Sequence, residues 1–404
     1  MISNYTKPDS ACWPIAEELH EKIKLLLAID FEADVVRILQ TVCLMSLWNS
    51  QSSSAVNLDG PDYWISTGLR LAQKIGLHRK ETYEQRENPS LLRLIFWQLH
   101  NSDAMQVAFW GHSPSIRLED YTISLPTTSD FAATSCQTLT FIEGTELAMM
   151  MRRWNESATP EKRSALAIDD LLLWLNALPV DLMLYEPEHE TRSSYDRAIS
   201  ELWIQYFVIL ILTQTPRHSE PETGPCTSAV SFIASLCIVT LYDEIYCRGE
   251  ILPLLPIHGF YCMAASLPII YAPSGTPKEE AWRKKRLDFL QGIVSYLRPK
   301  FGDADLVLGK IDGLQKKVDE RREQTGTATD EDLETVFDAM SAKESLLFPF
   351  PDDICEYMGY VYVARDRPTE DGNGEPVLDD HEGFQMDFSM FDLFDYNIDG
   401  LFDT

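Results

Sequence analysis

The sequence predicts an all-α protein that ends in a disordered acidic tail. Apolar residues recur at helical spacing through most of the chain, whereas alternating strand patterns are few and the sequence has no internal repeat. Proline-rich breaks separate the helical segments, as expected for helices packed on helices. Because the composition changes near Pro349, we divide the chain into a helical body (residues 1–348), a linker (residues 349–367) and a tail (residues 368–404).

The charge balance restricts the classes of function. The chain has 404 residues, of which 45% are hydrophobic and 24% are charged, as in an ordinary globular protein. Its net charge of −29 argues against a large phosphate-binding surface, because non-specific affinity for DNA comes from clustered lysines and arginines. The eight cysteines are scattered, which fits a reducing compartment.

Two helices are predicted between Pro61 and Gly111. Pro61 and Asp62 suit a first turn, and Gly76 suits a left-handed stop. The apolar face of this first helix contains Ile65, Leu69, Ala72 and Ile75. The second helix begins at Asn88 and Pro89 and ends near Gly111. Its inward residues are Leu92, Ile95, Phe96, Leu99 and Val107.

A more specific pattern overlaps these helices, over residues 63–126. Its elements are Trp64, Ile75, Gly76, Leu77, His78, Arg79, Arg93, Trp97, Asp103, Gly111, Pro114, Ile116, Asp120, Leu125 and Pro126. In order, spacing and residue type this pattern resembles the regulatory domain, or middle homology region, of fungal zinc-cluster transcription factors. Phe96 and Ala104 depart from it, standing where the family has a tryptophan and commonly an arginine.

The resemblance implies a nuclear, non-enzymatic regulator of transcription with an all-helical regulatory domain. Regulators encoded within fungal metabolic gene clusters, including those for secondary metabolites such as trichothecenes, look similar. The motif residues are expected to have structural roles. Protein partners from the transcription machinery are implied, and a small-molecule effector stays open.

The zinc module of that family is missing from the pattern. Family members normally open with six cysteines that hold two zinc ions and begin C-x2-C-x6-C. The cysteines here include no C-x2-C pair, so we expect no metal and no cofactor. Family members also usually carry further residues before the matching segment, so the chain is expected to be a naturally shortened relative, a truncated gene product or a fragment. Direct binding to DNA is therefore doubtful. The chain is expected either to need a DNA-binding partner, such as a zinc-cluster protein, or to compete with one as a modulator.

The tail has the composition of an activation segment. Residues 368–404 contain eleven Asp or Glu and no Lys or Arg. Near the C-terminus, apolar side chains alternate with aspartates, which is typical of segments that stay in water until a partner groove accepts the apolar face. The residues expected to carry activation are Phe388, Phe391, Leu393, Phe394, Leu401 and Phe402.

Two smaller patterns allow more than one interpretation. His78 and Arg79 follow the helix-ending glycine and are expected to cap carbonyl groups at the helix C-terminus. The basic run Arg283, Lys284, Lys285 and Arg286 is either a solvated helix face or a nuclear-import patch.

No catalytic constellation was found, and the rival hypothesis is an all-α enzyme of terpenoid-synthase type. That enzyme requires clustered aspartates that face a metal-filled cavity. The candidates are the pair Asp169 and Asp170, and the pair Asp352 and Asp353 with Glu356. A deep cavity lined by convergent carboxylates would favour the enzyme over the regulator.

Overall fold

The protein is helical in every long segment that the computed structural model describes, namely residues 13–49, 60–110, 113–156, 160–186, 191–214, 227–273, 277–325, 336–337 and 340–366. Within these ranges there is no β-strand, only two isolated β-bridges, Asn49 with Phe301 and Tyr185 with Arg192. The all-α prediction is thus confirmed. The predicted tail and Gly111 lie outside the described residues.

The α-helices of the described ranges are numbered in chain order. They are α1 (Trp13–Ala28), α2 (Val35–Met45), α3 (Pro61–Lys74), α4 (Pro89–Trp110), α5 (Cys136–Glu156), α6 (Pro160–Ala177), α7 (Arg197–Gln214), α8 (Ala229–Cys247), α9 (Ile257–Tyr271), α10 (Pro277–Leu297), α11 (Ala304–Thr325), α12 (Ala342–Ser345) and α13 (Met358–Arg365).

The end of α3 is built around Gly76. This glycine has a φ of 84°, a backbone conformation that side chains with a Cβ rarely adopt. Its amide donates to the Gln73 carbonyl at 3.0 Å, and the Leu77 amide donates to the Ala72 carbonyl at 2.9 Å. These two bonds form a Schellman motif, which satisfies helix-end carbonyls and confirms the left-handed stop.

The predicted capping by His78 and Arg79 is wrong. Arg79 Nε donates to His78 Nε2 at 3.1 Å, so the two side chains meet each other. The carbonyls beyond the glycine are instead served by a returning turn. Thr82 Oγ1 donates to the Gly76 carbonyl at 2.7 Å, and the Tyr83 hydroxyl donates to the next carbonyl at 2.6 Å. The side chains of the following turn thus bond these carbonyls in place of His78 and Arg79.

A first core lies among α2, α3 and α4. Helix α4 contacts both other helices and also α5. Its predicted inward residues are buried here except Val107, which is half-buried. Further along α4, Ala104, Met105 and Phe109 join a second, larger core. The buried members of the first core are Leu39, Ile65, Leu69, Ala72, Leu77, Tyr83, Leu92, Ile95, Phe96, Trp97, Leu99, Ile116 and Ile123.

The larger core is centred on α7, α8 and α9, which contact one another. Helix α8 is long and apolar enough to cross a membrane by composition, but 67% of that apolar window is buried within the protein. Helix α9 was not predicted, because it is apolar on all sides and contains Pro268. Its Gly259 allows close packing, since a Cβ there would lie 2.0 Å from the Phe301 ring.

The segment predicted as a linker is part of this larger core as far as residue 366. Phe350, Ile354 and Met358 are buried in it. The Tyr362 hydroxyl donates to the Phe350 carbonyl at 2.6 Å, which ties α13 to the preceding turn. The packing of the larger core therefore continues past residue 349, because the apolar side chains between the prolines and acidic residues face inward.

The first core can be tested at Trp97, whose side chain is 1% exposed and whose Nε1 donates to the Ser124 carbonyl at 2.9 Å. Trp97→Ala leaves a large cavity and should lower the free energy of unfolding by about 3–5 kcal/mol in chemical denaturation. His78→Ala serves as the control and should cost about 1 kcal/mol or less, because it removes one partly exposed contact. Equal, small losses in both variants would contradict the buried position of Trp97.

Candidate functional site

The predicted motif residues form a clamp along α4. The segment after this helix, residues 113–127, runs back antiparallel to it, since contacts further along the segment meet earlier positions of α4. Each contact pairs a motif residue on α4 with a residue on or beyond the returning segment. In order along α4, the contacts are Arg93 with Asp130, Trp97 with Ser124, and Asp103 with Ser115.

The strongest part of the clamp is a buried ion pair. Arg152 of α5 lies 2.7 Å from the Asp103 carboxylate, and the two side chains are 0% and 6% exposed. The same guanidinium donates to the Ile116 carbonyl, and the Ser115 amide donates to Asp103 at 3.3 Å. These bonds leave neither charge without a partner, which is the condition under which a buried pair is tolerated.

The other motif residues also support the framework. Trp64 packs with Val42 and Met45 in a small cluster between α2 and α3. Asp120 accepts from the Arg117 amide at 3.4 Å and closes a short turn. Pro126 is buried and Pro114 is half-buried. The described motif residues therefore surround α4 and do not converge on one chemical site.

A cavity of about 400 Å³ lies between these N-terminal helices and the larger core. One wall comes from α3, α4 and α5 with the turn after α2, and the opposite wall comes from α7 and α9 with the turn before α9. The apolar part of the lining includes Ile65, Met105, Phe141, Leu202, Phe260 and Tyr261. The volume and the mixed lining are typical of a small-molecule site.

Uncharged polar side chains from α4 line one wall. Gln98, Asn101, Ser102 and Gln106 follow one another at spacings of three, one and four residues, so they share one side of the helix. Gln137 of α5 and Gln205 of α7 add two carboxamides from other directions. Sequence reasoning missed this set, because a polar stripe on a helix usually faces water.

The orientation of Asn101 follows from its neighbour Thr145. The Thr145 hydroxyl donates to the Phe141 carbonyl at 2.7 Å, so it can only accept from Asn101 Nδ2, which lies at 2.8 Å. Asn101 Oδ1 is then buried with no donor among the described residues. Such an acceptor costs about 1–3 kcal/mol unless another donor, for example one brought into the cavity, supplies the bond.

The carboxylate that lines the cavity is already paired. Glu201 of α7 accepts from Arg197 Nε at 2.9 Å and lies 3.4 Å from His258 Nε2. The other ring nitrogen of His258 meets the Tyr242 hydroxyl at 2.9 Å. Burial opposes ionisation of Glu201, but His258 and Arg197 outweigh it and hold the pKa of the carboxyl below its ordinary value. No lysine or arginine is among the described residues that line the cavity.

The basic run on α10 is not a continuous exposed patch. Arg283 is 4% exposed and donates to the Ala272 carbonyl at 2.7 Å. Arg286 lies over the Trp282 ring, with its guanidinium carbon 3.7 Å from the ring centroid. Lys284 and Lys285 alone among the four residues of the run are exposed.

The first carboxylate pair of the enzyme hypothesis has structural contacts. Asp169 forms an ion pair with Lys343 at 2.6 Å, which links α6 to α12. Asp170 accepts from the Trp154 indole nitrogen at 2.8 Å, which links α6 to α5. Neither aspartate lines the 400 Å³ cavity.

The second carboxylate set lines a separate cavity of about 380 Å³. Asp352 and Asp353 are exposed there, and Glu356 is held by the Arg286 guanidinium and by Trp282 Nε1, the latter at 2.6 Å. Within the described part of the chain, no three His, Cys, Asp or Glu side chains are grouped as metal ligands. This cavity is therefore bordered by one acidic motif, in which the Glu356 carboxylate already bonds Arg286 and Trp282.

Comparison with known proteins agrees with the motif. Residues 2–144 match the model of the fungal specific transcription factor domain. Acetamidase regulatory protein of Aspergillus oryzae is 24% identical over 257 residues, which is 60% of this chain and 32% of that protein. The proteins of the same name from Aspergillus fumigatus and Emericella nidulans are 26% and 25% identical, over 50% and 52% of this chain and 28% and 27% of theirs.

The chain thus aligns with less than a third of the length of these curated relatives. No solved structure matches it significantly. The resemblance predicted from residues 63–126 is confirmed by this match, which extends from residue 2 to a position within α5.

The clamp predicts a large effect at Asp103. Asp103→Asn keeps the shape but leaves the buried Arg152 charge without its partner, so the free energy of unfolding should fall by about 3–5 kcal/mol. The matched control, Asp120→Asn in an exposed turn, should cost about 1 kcal/mol or less. Chemical denaturation measures both, and the ion pair is not important if the two variants lose equally little.

A second prediction concerns pH. Burial, and then the charge of Glu146, raise the pKa of Glu143 on α5 from 4.5 to about 7. The unfolded chain therefore loses this proton first, and the contribution of Glu143 to the free energy of unfolding falls as pH rises from about 4.5 to 7. Glu143→Gln should accordingly stabilise the protein at pH 8 more than at pH 5 in thermal denaturation. An equal gain at both values would show that Glu143 does not titrate in this way.

Proposed function

We propose, on the premise that residues 2–144 belong to the fungal specific transcription factor domain family, that this chain is a nuclear, non-enzymatic regulator of transcription. The family match carries this proposal. The relatives are named as regulators of acetamidase, and we extend to this chain only the class of target, which is genes for metabolic enzymes. A gene cluster for a secondary metabolite is one such target.

In this proposal the helical body binds a small effector molecule. Its cavity is walled on one side by the matched domain and on the other by α7 and α9. A molecule that contacts both walls binds best to the conformation in which the two walls are close enough to touch it. Binding then shifts the population of the helical body toward that conformation, by as much as the molecule's affinity for it exceeds its affinity for the others. This response requires binding alone, without a catalytic group.

The tail is the output segment of the proposal. It lies outside the described residues, so its support is the sequence: Phe388, Phe391 and Phe394 alternate with aspartates, and no Lys or Arg follows residue 367. The packed body continues to residue 366, which joins the tail directly to the larger core. Proteins of the transcription machinery are the proposed partners of this segment.

DNA is reached through a partner in this proposal. The net charge of −29 disfavours a phosphate-binding surface, and the 404 residues contain no C-x2-C pair. A zinc-cluster protein would supply the DNA contacts. If the two proteins enter the nucleus as a complex, import does not depend on Arg283 and Arg286, whose side chains are bound within the protein.

The regulator is preferred to an enzyme of terpenoid-synthase type. The larger cavity has one carboxylate, Glu201, and two partners already surround it. The carboxylates that do cluster, near Glu356, border the other cavity, where Arg286 holds one of them. Binding of an uncharged molecule fits the larger cavity better than metal-assisted chemistry does.

A reporter experiment tests the proposal. The whole chain, fused to an unrelated DNA-binding domain, should activate a reporter gene in a fungal host. Alanine at Phe391, Leu393, Phe394, Leu401 and Phe402 should abolish activation, because the partner groove loses its apolar anchors. Asparagine at Asp392 and Asp395 should reduce activation only in part. If the alanine variant activates as well as its parent at equal abundance, the tail is not the output segment.

A further inference from the structure

We infer that the 400 Å³ cavity binds a small uncharged molecule that has a compact apolar body and an amide- or hydroxyl-type hydrogen-bonding group. This inference rests on the proposed function, in which that molecule is the effector. The cavity is expected to accept this chemistry and to reject charged analogues of the same shape.

The charges of the lining exclude ionic ligands. A buried carboxylate or phosphate needs a cation, and none of the described lining residues is a lysine or arginine. A buried ammonium group needs a free carboxylate, but Glu201 already has Arg197 on one oxygen and His258 near the other. An ion of either sign would therefore lose its water without gaining a free partner.

The hydrogen-bonding groups of the lining are mainly carboxamides, each with donors and an acceptor. Gln98 Nε2 lies 3.4 Å from Ser102 Oγ, and Gln205 Nε2 lies 3.4 Å from the Gly144 carbonyl. Both distances exceed the usual 2.7–3.2 Å, so these internal bonds are weak and can be exchanged for bonds to a ligand. By contrast, Asn101 Nδ2 donates to Thr145 Oγ1 at 2.8 Å, so the Asn101 side chain is a fixed part of the cavity wall.

The position of Gln205 depends on Gly144. A Cβ at residue 144 would lie 3.3 Å from Gln205 Oε1 and 3.8 Å from Leu202. The glycine therefore lets the α7 carboxamide approach α5 closely, opposite the carboxamides of α4. A ligand amide or hydroxyl group between these walls would meet donors and acceptors on both.

The apolar lining determines the shape and size of the apolar part of the ligand. Phe141, Phe260 and Tyr261 present ring carbons, and Ile65 and Leu202 add aliphatic surface. A volume of about 400 Å³ is near the lower end of ligand pockets, which span about 300–1,000 Å³. A single ring or short branched chain therefore suits the cavity.

Benzamide is the probe that tests this chemistry, because benzoate and benzylammonium have nearly the same shape with opposite charges. We expect saturable binding of benzamide to the purified full chain in calorimetry, and at least tenfold weaker binding of both ions. No saturable binding of benzamide up to its solubility limit, or binding of either ion as tight as that of benzamide, overturns the inference.

Variants locate the binding. Gln98→Leu and Gln205→Leu should each weaken benzamide binding about tenfold, which corresponds to about 1.4 kcal/mol. Gln315→Leu on α11, which does not line the cavity, is the matched control and should bind as the parent does. Ala198→Phe adds a ring to the wall and should abolish binding. Unchanged affinity in both cavity Gln variants overturns the assignment.

The two proposals fail separately. The reporter experiment needs no added ligand and depends on the tail, whereas calorimetry needs no transcription. Activation without benzamide binding would reject the ligand chemistry alone. Benzamide binding by a chain that does not activate would reject the regulator while the cavity assignment stands.

Discussion

The buried ion pair between Asp103 and Arg152 is the contact on which the arrangement around the cavity depends. It joins α4 to α5, and both helices contribute to one wall. The positive charge of Arg152 also affects a neighbouring residue: burial, and then Arg152, lower the pKa of His100 to about 3. The imidazole therefore stays neutral and meets the Tyr121 hydroxyl at 3.1 Å, which adds another link between α4 and the returning segment.

Local signals in the sequence predicted the N-terminal half well. Gly76 stops α3 because a left-handed residue is needed there, and Pro89 begins α4. The interpretation of His78 was wrong because Thr82 and Tyr83, which cap the carbonyls, reach them through a turn that helical periodicity does not reveal. The motif therefore predicted the family and the framework better than individual side-chain contacts.

Features that depend on contacts between distant residues could not be predicted. Helix α9 has no polar face, and its Pro268 suggested a break, yet the larger core surrounds it on all sides. The cavity brings Gln98 and Gln205 together across more than a hundred residues, and nothing local to either glutamine indicates the other. The sequence thus predicted the helical class and the clamp residues, but not the cavity.

The end of the matched family segment has a consequence for how this protein can be divided. The match stops at residue 144, inside α5, and Arg152 lies beyond it on the same helix. A polypeptide cut at that position would retain the Asp103 carboxylate in an apolar setting and lose the guanidinium that neutralises it. The segment that the family model matches is therefore smaller than the unit that can fold, and an autonomous fragment has to include at least the rest of α5.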